Sequence, residues 1–172
     1  FITQYNKDGK TVWDPRPMSA FGADAQIDAS IRVKINAKAT ATYGHWTEPG
    51  PMGWELEILP KTPLDHVMPN QPVEFEVRYM GEPLGCTPNE MEFLLAASNT
   101  YGGEGAGDTD GFFLAAYLMG GKARMSFPTA GEWVVTVFTN KPVLPDGKFD
   151  AYKNECKQVF HSAGLSLNVR TI

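Results

Sequence analysis

The chain has 172 residues, a formal net charge of −5 and 42% hydrophobic residues, with four Trp, ten Phe and six Tyr. This composition is sufficient for a hydrophobic core and excludes a disordered chain. An acidic balance without a Lys/Arg cluster argues against nucleic-acid binding. No run approaches about eighteen apolar residues, so we expect no transmembrane segment. The chain starts at Phe1 without a signal sequence, and we expect a processed or trimmed form.

The first 45 residues predict N-terminal strands. A hairpin is indicated around Asp8-Gly9, a strong turn signal between two β-rich arms. Residues 27–37 alternate in part, as in a half-buried strand. Residues 44–53 combine three Gly with two Pro and predict a loop at a domain seam. About fifty residues barely supply a core of their own. We therefore interpret residues 1–45 as the remnant of a preceding β-region and 53–172 as the main domain.

Strict alternation marks the strands at the start of the main domain. Apolar and acidic residues alternate over residues 54–58, and again over residues 73–80. A period of two predicts strands with one buried face and one wet face. The carboxylates expected on the wet faces are Glu55, Glu57, Glu74 and Glu76.

The remaining chain predicts further short strands joined by Pro- and Gly-rich loops. Residues 132–140 have the most strand-like pattern. Residues 112–118 are apolar at nearly every position, and periodicity does not distinguish a buried strand from a helical turn there. A short helix is best placed within 150–160. About seven strands between 54 and 169 predict an all-β antiparallel β-sandwich with at most one short helix.

The histidines are the first candidates for metal binding. No two of them are spaced to share a helix face or adjacent same-face strand positions, so a site would need tertiary assembly. The candidates are His45 with Glu48 in the seam loop, and His66 with Asp65 in the Pro-rich connection. The alternative is that both histidines are solvent-exposed loop residues. His161, near the last strand, is a weaker candidate.

The two cysteines are too far apart in sequence for a CxxC motif. In an exported protein Cys86 and Cys156 can pair, and closing a loop of about seventy residues stabilises by roughly 4 kcal/mol in the chain-entropy model. We predict this disulfide. The alternative is two separate buried thiols.

Other motifs favour binding over catalysis. Residues 108–111 (DTDG) have spaced oxygen donors, but the twelfth position of an EF-hand loop would be Met119 rather than Glu, which favours a Gly-rich turn. No Gly-x-Ser-x-Gly elbow or Cys–His setting is present, and we predict that the protein is not an enzyme. Trp46 and Tyr101, in or beside loops, are candidates for stacking on a sugar or a partner.

Three phrases together resemble an exported bacterial family of unknown function that includes the NikM-like periplasmic components of nickel and cobalt uptake systems. The resemblance covers roughly residues 31–169 and rests on structural motifs. The phrases are GWELEILP (53–60) with PVEFEV (72–77) and GEPL (81–84), then DTDG (108–111) with ARMSFP (123–128), and AGEWVVTV (130–137).

The resemblance implies an Ig-like or transthyretin-like sandwich in the periplasm, or otherwise exported. It implies a binding or accessory module of a nickel or cobalt uptake system, which binds the metal weakly or docks to a membrane transport component. Such proteins usually carry a His-bearing N-terminal segment, and no site built from that segment transfers to this chain. The alternative is a periplasmic or surface module that recognises a protein or glycan through its loops.

Overall fold

The protein is described by a computed structural model. The described residues are 1–41, 45–87, 90–101 and 113–171. They form eleven β-strands in two sheets, without an α-helix, which confirms the all-β prediction. The helical pieces are two 3₁₀ helices, Met18–Ala20 and Asp150–Tyr152. The second lies where the sequence predicts a short helix, whereas nothing in the pattern predicts the first.

The chain forms two compact units. The first unit comprises Phe1–Ile35 and Thr139–His161, and the second comprises Asn36–Phe138 and Ser162–Ile172. Each unit is therefore built from non-contiguous segments, and the division into residues 1–45 and 53–172 stays a prediction. Three long strands contribute residues to both units: β3 (Ile27–Ala39), β10 (Gly131–Pro142) and β11 (Gln158–Val169).

The first unit contains the predicted N-terminal hairpin. Strands β1 (Ile2–Lys7) and β2 (Lys10–Asp14) pair antiparallel. Asp8 and Gly9 have φ of 53° and 76°, as a two-residue turn with both central residues left-handed requires. The Gly9 N–H donates to the Asn6 side-chain oxygen at 3.1 Å. Local turn chemistry therefore fixes this hairpin as the sequence predicts.

The strands of the second unit belong to both sheets. The seven-stranded sheet has the order β2-β1-β3-β11-β10-β7-β8, with β7 at Phe93–Ser98 and β8 at Leu114–Tyr117. The other sheet has β5 (Pro72–Tyr79) at its centre. Paired with β5 are β4 (Leu56–Pro60), β6 (Glu82–Pro83) and β9 (Lys122–Ser126).

The core of the second unit collects inward side chains from both sheets, giving a sandwich-like arrangement. Trp133 of β10 is fully buried, with its ring 5.1 Å from Phe127 and 5.6 Å from Tyr101. Its indole N–H donates to the Thr129 carbonyl at 3.0 Å, so burying the indole leaves its polar group satisfied. The alternation of β5 places Phe75 in this core while its glutamates face outward, as predicted.

Strand β4 departs from its predicted wet face, and the prediction is wrong for Glu57. Glu57 is only 3% exposed, and every residue of β4 is buried. Its carboxylate accepts the backbone N–H groups of Met52 at 2.9 Å and Trp54 at 2.5 Å. The backbone before β4 is therefore held to this strand by hydrogen bonds to Glu57. A period-two pattern of apolar residues contains no information about such hydrogen bonds.

Candidate functional site

The predicted metal ligands fall into two separate arrangements. His45 is exposed, and Glu48 forms an ion pair with Lys61 at 2.5 Å. The Asp65 carboxylate lies 4.0 Å from the ring of the exposed His66. Within residues 1–41, 45–87, 90–101 and 113–171, no group of three His, Cys, Asp or Glu side chains is placed to hold a metal ion. Metal binding by these residues stays a prediction.

Lys61 organises a chain of charges on the outer face of β5. Its ammonium also lies 3.1 Å from Glu76, which bonds to the Arg78 guanidinium at 2.5 Å. The Glu48 and Glu76 carboxylates raise the pKa of Lys61. The hydrogen bond from Arg78, and then that from Lys61, lower the pKa of Glu76. Glu48 is thus occupied by a cation and is a poor candidate for a free ligand.

The predicted aromatic ligand residues pack against the core. Trp46 and Tyr101 are both half-buried beside the hydrophobic cluster of the second unit, and Tyr101 contacts Trp133. Aromatic rings in loops that cover a core add to apolar burial. The structure therefore gives both rings a packing role, and ligand binding by them stays a prediction.

The predicted disulfide is wrong, because both thiols are free. Cys86 lies in the second unit, where its thiol contacts the Glu92 carbonyl at 3.4 Å. Cys156 lies in the first unit and is buried, and this burial raises the pKa of its thiol. Each cysteine thus has its own local environment, as in the alternative of separate thiols.

The remaining motif predictions have different outcomes. His161 is 1% exposed in the first unit, with its ring 6.1 Å from Phe149, which is typical of a core histidine. The DTDG turn at 108–111 lies outside the described residues.

The most unusual surface of the second unit is the outer face of β7, β8 and β10. Leu94 and Ala96 of β7 point into the core, yet the alternate residues on its outer face are also apolar. Cross-strand pairs extend this face: Tyr117 stands opposite Phe93 in the β7–β8 ladder. We call this surface the apolar face, and its nine residues are Phe93, Leu95, Ala97, Phe113, Ala115, Tyr117, Val134, Thr136 and Phe138.

The nine residues of the apolar face include no charged residue, and Glu132, the outward-facing residue of β10 next to Val134, lies at its margin. Phe113 is 61% exposed, Tyr117 55% and Phe138 50%. A strand that is apolar on both faces is typical of a sheet covered on both sides. The described chain packs a core only against the inner face of β7 and β8. The uninterrupted apolar residues of β7 and β8 indicate such a surface in the sequence, but they do not show which face of the strands is exposed to solvent.

A groove of about 650 Å³ lies beside the apolar face. Tyr117 belongs to both, since its ring lines the groove and packs 4.7 Å from Phe93. The groove combines apolar side chains with three cations and two carboxylates. Its lining residues are Lys61, Glu74, Phe75, Glu76, Tyr117, Met119, Lys122, Ala123 and Arg124.

The three cations of the groove differ in the ion pairs that they form. Lys61 is engaged by Glu48 and Glu76. In the described part of the chain, the side chains of Lys122 and Arg124 make no hydrogen bond or ion pair with the protein. Both extend from the outer face of β9. The groove thus has two cations available to a ligand.

No protein-family model, curated protein or solved structure matches this chain. Among the described residues, no helix is long and apolar enough to cross a membrane.

Proposed function

We propose that the protein is a non-enzymatic binding module that docks a second protein through the apolar face. The observation that carries this proposal is the absence of charge from nine outward-facing residues on three neighbouring strands. Contiguous exposed apolar patches of a few hundred Å² are often functional. Thr136 and Tyr117 are the two side chains of the nine with a hydroxyl group, which favours a polypeptide over a glycan, since a glycan requires more hydrogen-bonding groups.

The size of the apolar face favours a transient partner over a second copy of the chain. Three strands about 4.8 Å apart and five residues of about 3.4 Å each span roughly 14 by 17 Å, or about 240 Å². A stable dimer buries about 800 Å² on each partner. Burial of 240 Å² contributes about 6 kcal/mol, which is comparable to the 4–15 kcal/mol that association costs. The face is therefore suited to a reversible contact.

We further propose that the module is periplasmic or otherwise exported, has an Ig-like or transthyretin-like sandwich and serves a nickel or cobalt uptake system. The support is the resemblance of the three phrases, together with the neighbouring donors Asp65 and His66, which lie 4.0 Å apart. In this proposal the docked partner is a transport component. Metal binding is weak, because two donors leave most of a metal's coordination to water.

Docking is tested by photocrosslinking in native cells. Ala115 lies in the apolar face, and Ala151 is an exposed alanine of the first unit. Each is replaced in turn by p-benzoylphenylalanine in the full chain. A discrete adduct from position 115 and none from 151 is expected. No adduct from 115, or the same adducts from both positions, contradicts docking, and an adduct of two identical chains indicates self-association.

Metal binding is tested separately by calorimetry with Ni²⁺ and Co²⁺. The expected result is a weak exothermic signal that His66→Ala removes and His45→Ala leaves intact. No heat above that of the buffer removes direct metal binding and leaves the docking proposal unaffected.

A further inference from the structure

The two strands next to the groove differ in how their free edges are protected. In the described part of the chain, the one strand paired with β8 is β7 and the one strand paired with β9 is β5. Met119, just after β8, forms a single bridge to Lys122 at the start of β9. Strand β9 carries Lys122 and Arg124, and charged side chains are a common protection of an edge against pairing with another chain. Strand β8 reads Leu-Ala-Ala-Tyr, with no charge and no Pro. An edge without such protection is a template for an added strand.

The charges around β8 restrict what such a strand contains. The groove holds three cations and two carboxylates in a chain of net charge −5. Glu76 is bound by Lys61 and Arg78, so it is not available to Lys122. Glu74 stands opposite Arg124 and Glu76 opposite Lys122 in the β5–β9 register, so among the described residues of the groove Glu74 is the one carboxylate left for these two cations. A ligand carboxylate therefore supplies the missing partner, whereas a ligand cation meets an excess of positive charge.

The apolar side chains of the groove restrict the ligand further. Tyr117 and Met119 are 55% and 69% exposed, and both line the groove beside the cations. Aromatic and methionine side chains are favoured where a surface binds apolar residues of a partner. In an extended segment, alternate residues point to opposite sides. A segment that alternates acidic and apolar residues matches the cations with one side and the apolar surface with the other.

We propose that the groove binds an extended, alternating acidic and apolar segment of a partner protein, which adds as a strand to the free edge of β8. Its carboxylates pair with Lys122 and Arg124, and its apolar side chains contact Tyr117 and Met119. This inference rests on the proposed docking function and names the chemistry of the partner. A membrane or a free anion fits less well, since neither supplies main-chain groups for the edge of β8.

The inference is tested with synthetic peptides and the full chain. The probe is a blocked, fluorescein-labelled peptide of alternating Glu and Val, measured by fluorescence anisotropy at low and physiological salt. An alternating Lys and Val peptide is the charge control. A third peptide is the Glu/Val sequence with N-methyl groups on alternate residues, which removes main-chain donors and leaves the side chains in place. The Glu/Val peptide is expected to bind at least about tenfold more tightly than the Lys/Val peptide, and more weakly as salt rises.

The variants separate specific contacts from net charge. The double variant Lys122→Ser/Arg124→Ser is expected to weaken Glu/Val binding by at least about tenfold. Lys7→Ser/Lys10→Ser removes the same charge from the exposed hairpin of the first unit and is expected to change binding by less than about twofold. Both are surface changes, and thermal unfolding of each variant checks that it folds.

Four outcomes overturn the inference. The first is no binding of the Glu/Val peptide, the second is equal binding of the Glu/Val and Lys/Val peptides, and the third is equal loss of binding in both double variants. The fourth is full binding of the N-methylated peptide, because strand addition requires the main-chain groups that it lacks. If Lys122→Ser/Arg124→Ser aggregates while binding stays unchanged, the cations protect the edge only. Crosslinking at Ala115 is independent of these results, so the docking proposal survives or fails separately.

Discussion

The substitution Glu57→Gln tests whether one buried carboxylate anchors the chain that leads into β4. Glu57 accepts backbone N–H groups from both Met52 and Trp54 and is 3% exposed. Gln has nearly the same shape, so packing is retained. Its single oxygen accepts only one of the two N–H groups, and its NH₂ group then faces the other donor.

The expected cost follows from those two contacts. A hydrogen bond to a charged group contributes about 1.5–3 kcal/mol, and a buried donor left without an acceptor costs about 1–3 kcal/mol. We expect Glu57→Gln to lower the free energy of unfolding by about 3 kcal/mol. At about 2–4 °C per kcal/mol for a chain of this size, the melting temperature falls by about 9 °C.

The assay is urea unfolding at neutral pH followed by circular dichroism, with Glu74→Gln as the matched control. Glu74 lies on β5 with an exposed side chain, so its variant should stay within about 0.5 kcal/mol of the wild type. Hydrogen exchange gives a local check, since the Met52 and Trp54 amides should lose protection in Glu57→Gln. If that variant unfolds within about 0.5 kcal/mol of the wild type, the carboxylate does not anchor this segment.

Three further expectations concern a turn, an ion pair and the thiols. Gly121 has a φ of +77°, and a Cβ at this position would lie 2.6 Å from Pro83. Gly121→Ala should therefore lower the free energy of unfolding in urea by about 2–4 kcal/mol. Gly50 has open space around it, and Gly50→Ala should change the free energy of unfolding by less than about 0.5 kcal/mol. Arg78 and Lys61 lower the pKa of Glu76 below 4.5. The ionised Glu76 therefore stabilises the folded protein above pH 4.5, and this stabilisation is lost as the pH falls through the pKa of Glu76 in the folded state. Glu76→Gln should therefore flatten the decline of stability below about pH 4.5, and an unchanged acid limb would argue against the ion pair. Thiol titration should find two free thiols per unfolded chain. In the folded protein, Cys86 should react faster than Cys156, because burial raises the pKa of the Cys156 thiol. If both thiols of the unfolded chain react only after a reductant is added, the two cysteines form the predicted disulfide.

The parts of the fold that the sequence predicted depend on local chemistry. Asp8-Gly9 specifies its turn through backbone conformations that few other residues adopt. The glutamates of β5 mark its outer face because charged side chains avoid a core. These signals depend on only two to eight neighbouring residues, so they can be interpreted without knowing how the rest of the chain folds.

The parts that the sequence did not predict depend on contacts between distant residues. The pattern around Glu57 is the same as that around Glu74, yet Glu57 is buried and accepts hydrogen bonds from the Met52 and Trp54 amides, whereas Glu74 is exposed. The apolar run over residues 112–118 left a buried strand and a helical turn open, whereas the structure has the strand β8, whose outer face is open in the described chain. His66 and the other candidate ligands were chosen by donor chemistry, which carries no information on where a loop brings them.

Strand β11 has a consequence for how the protein is made. Its residues up to His161 complete the first unit, and those from Ser162 complete the second. Four of its residues lie in the core of the second unit, including the fully buried Leu165. Neither unit is therefore complete until this strand has left the exit tunnel of the ribosome, since β11 follows every other strand in the chain. Because β11 joins residues that are far apart in sequence, slow folding is expected.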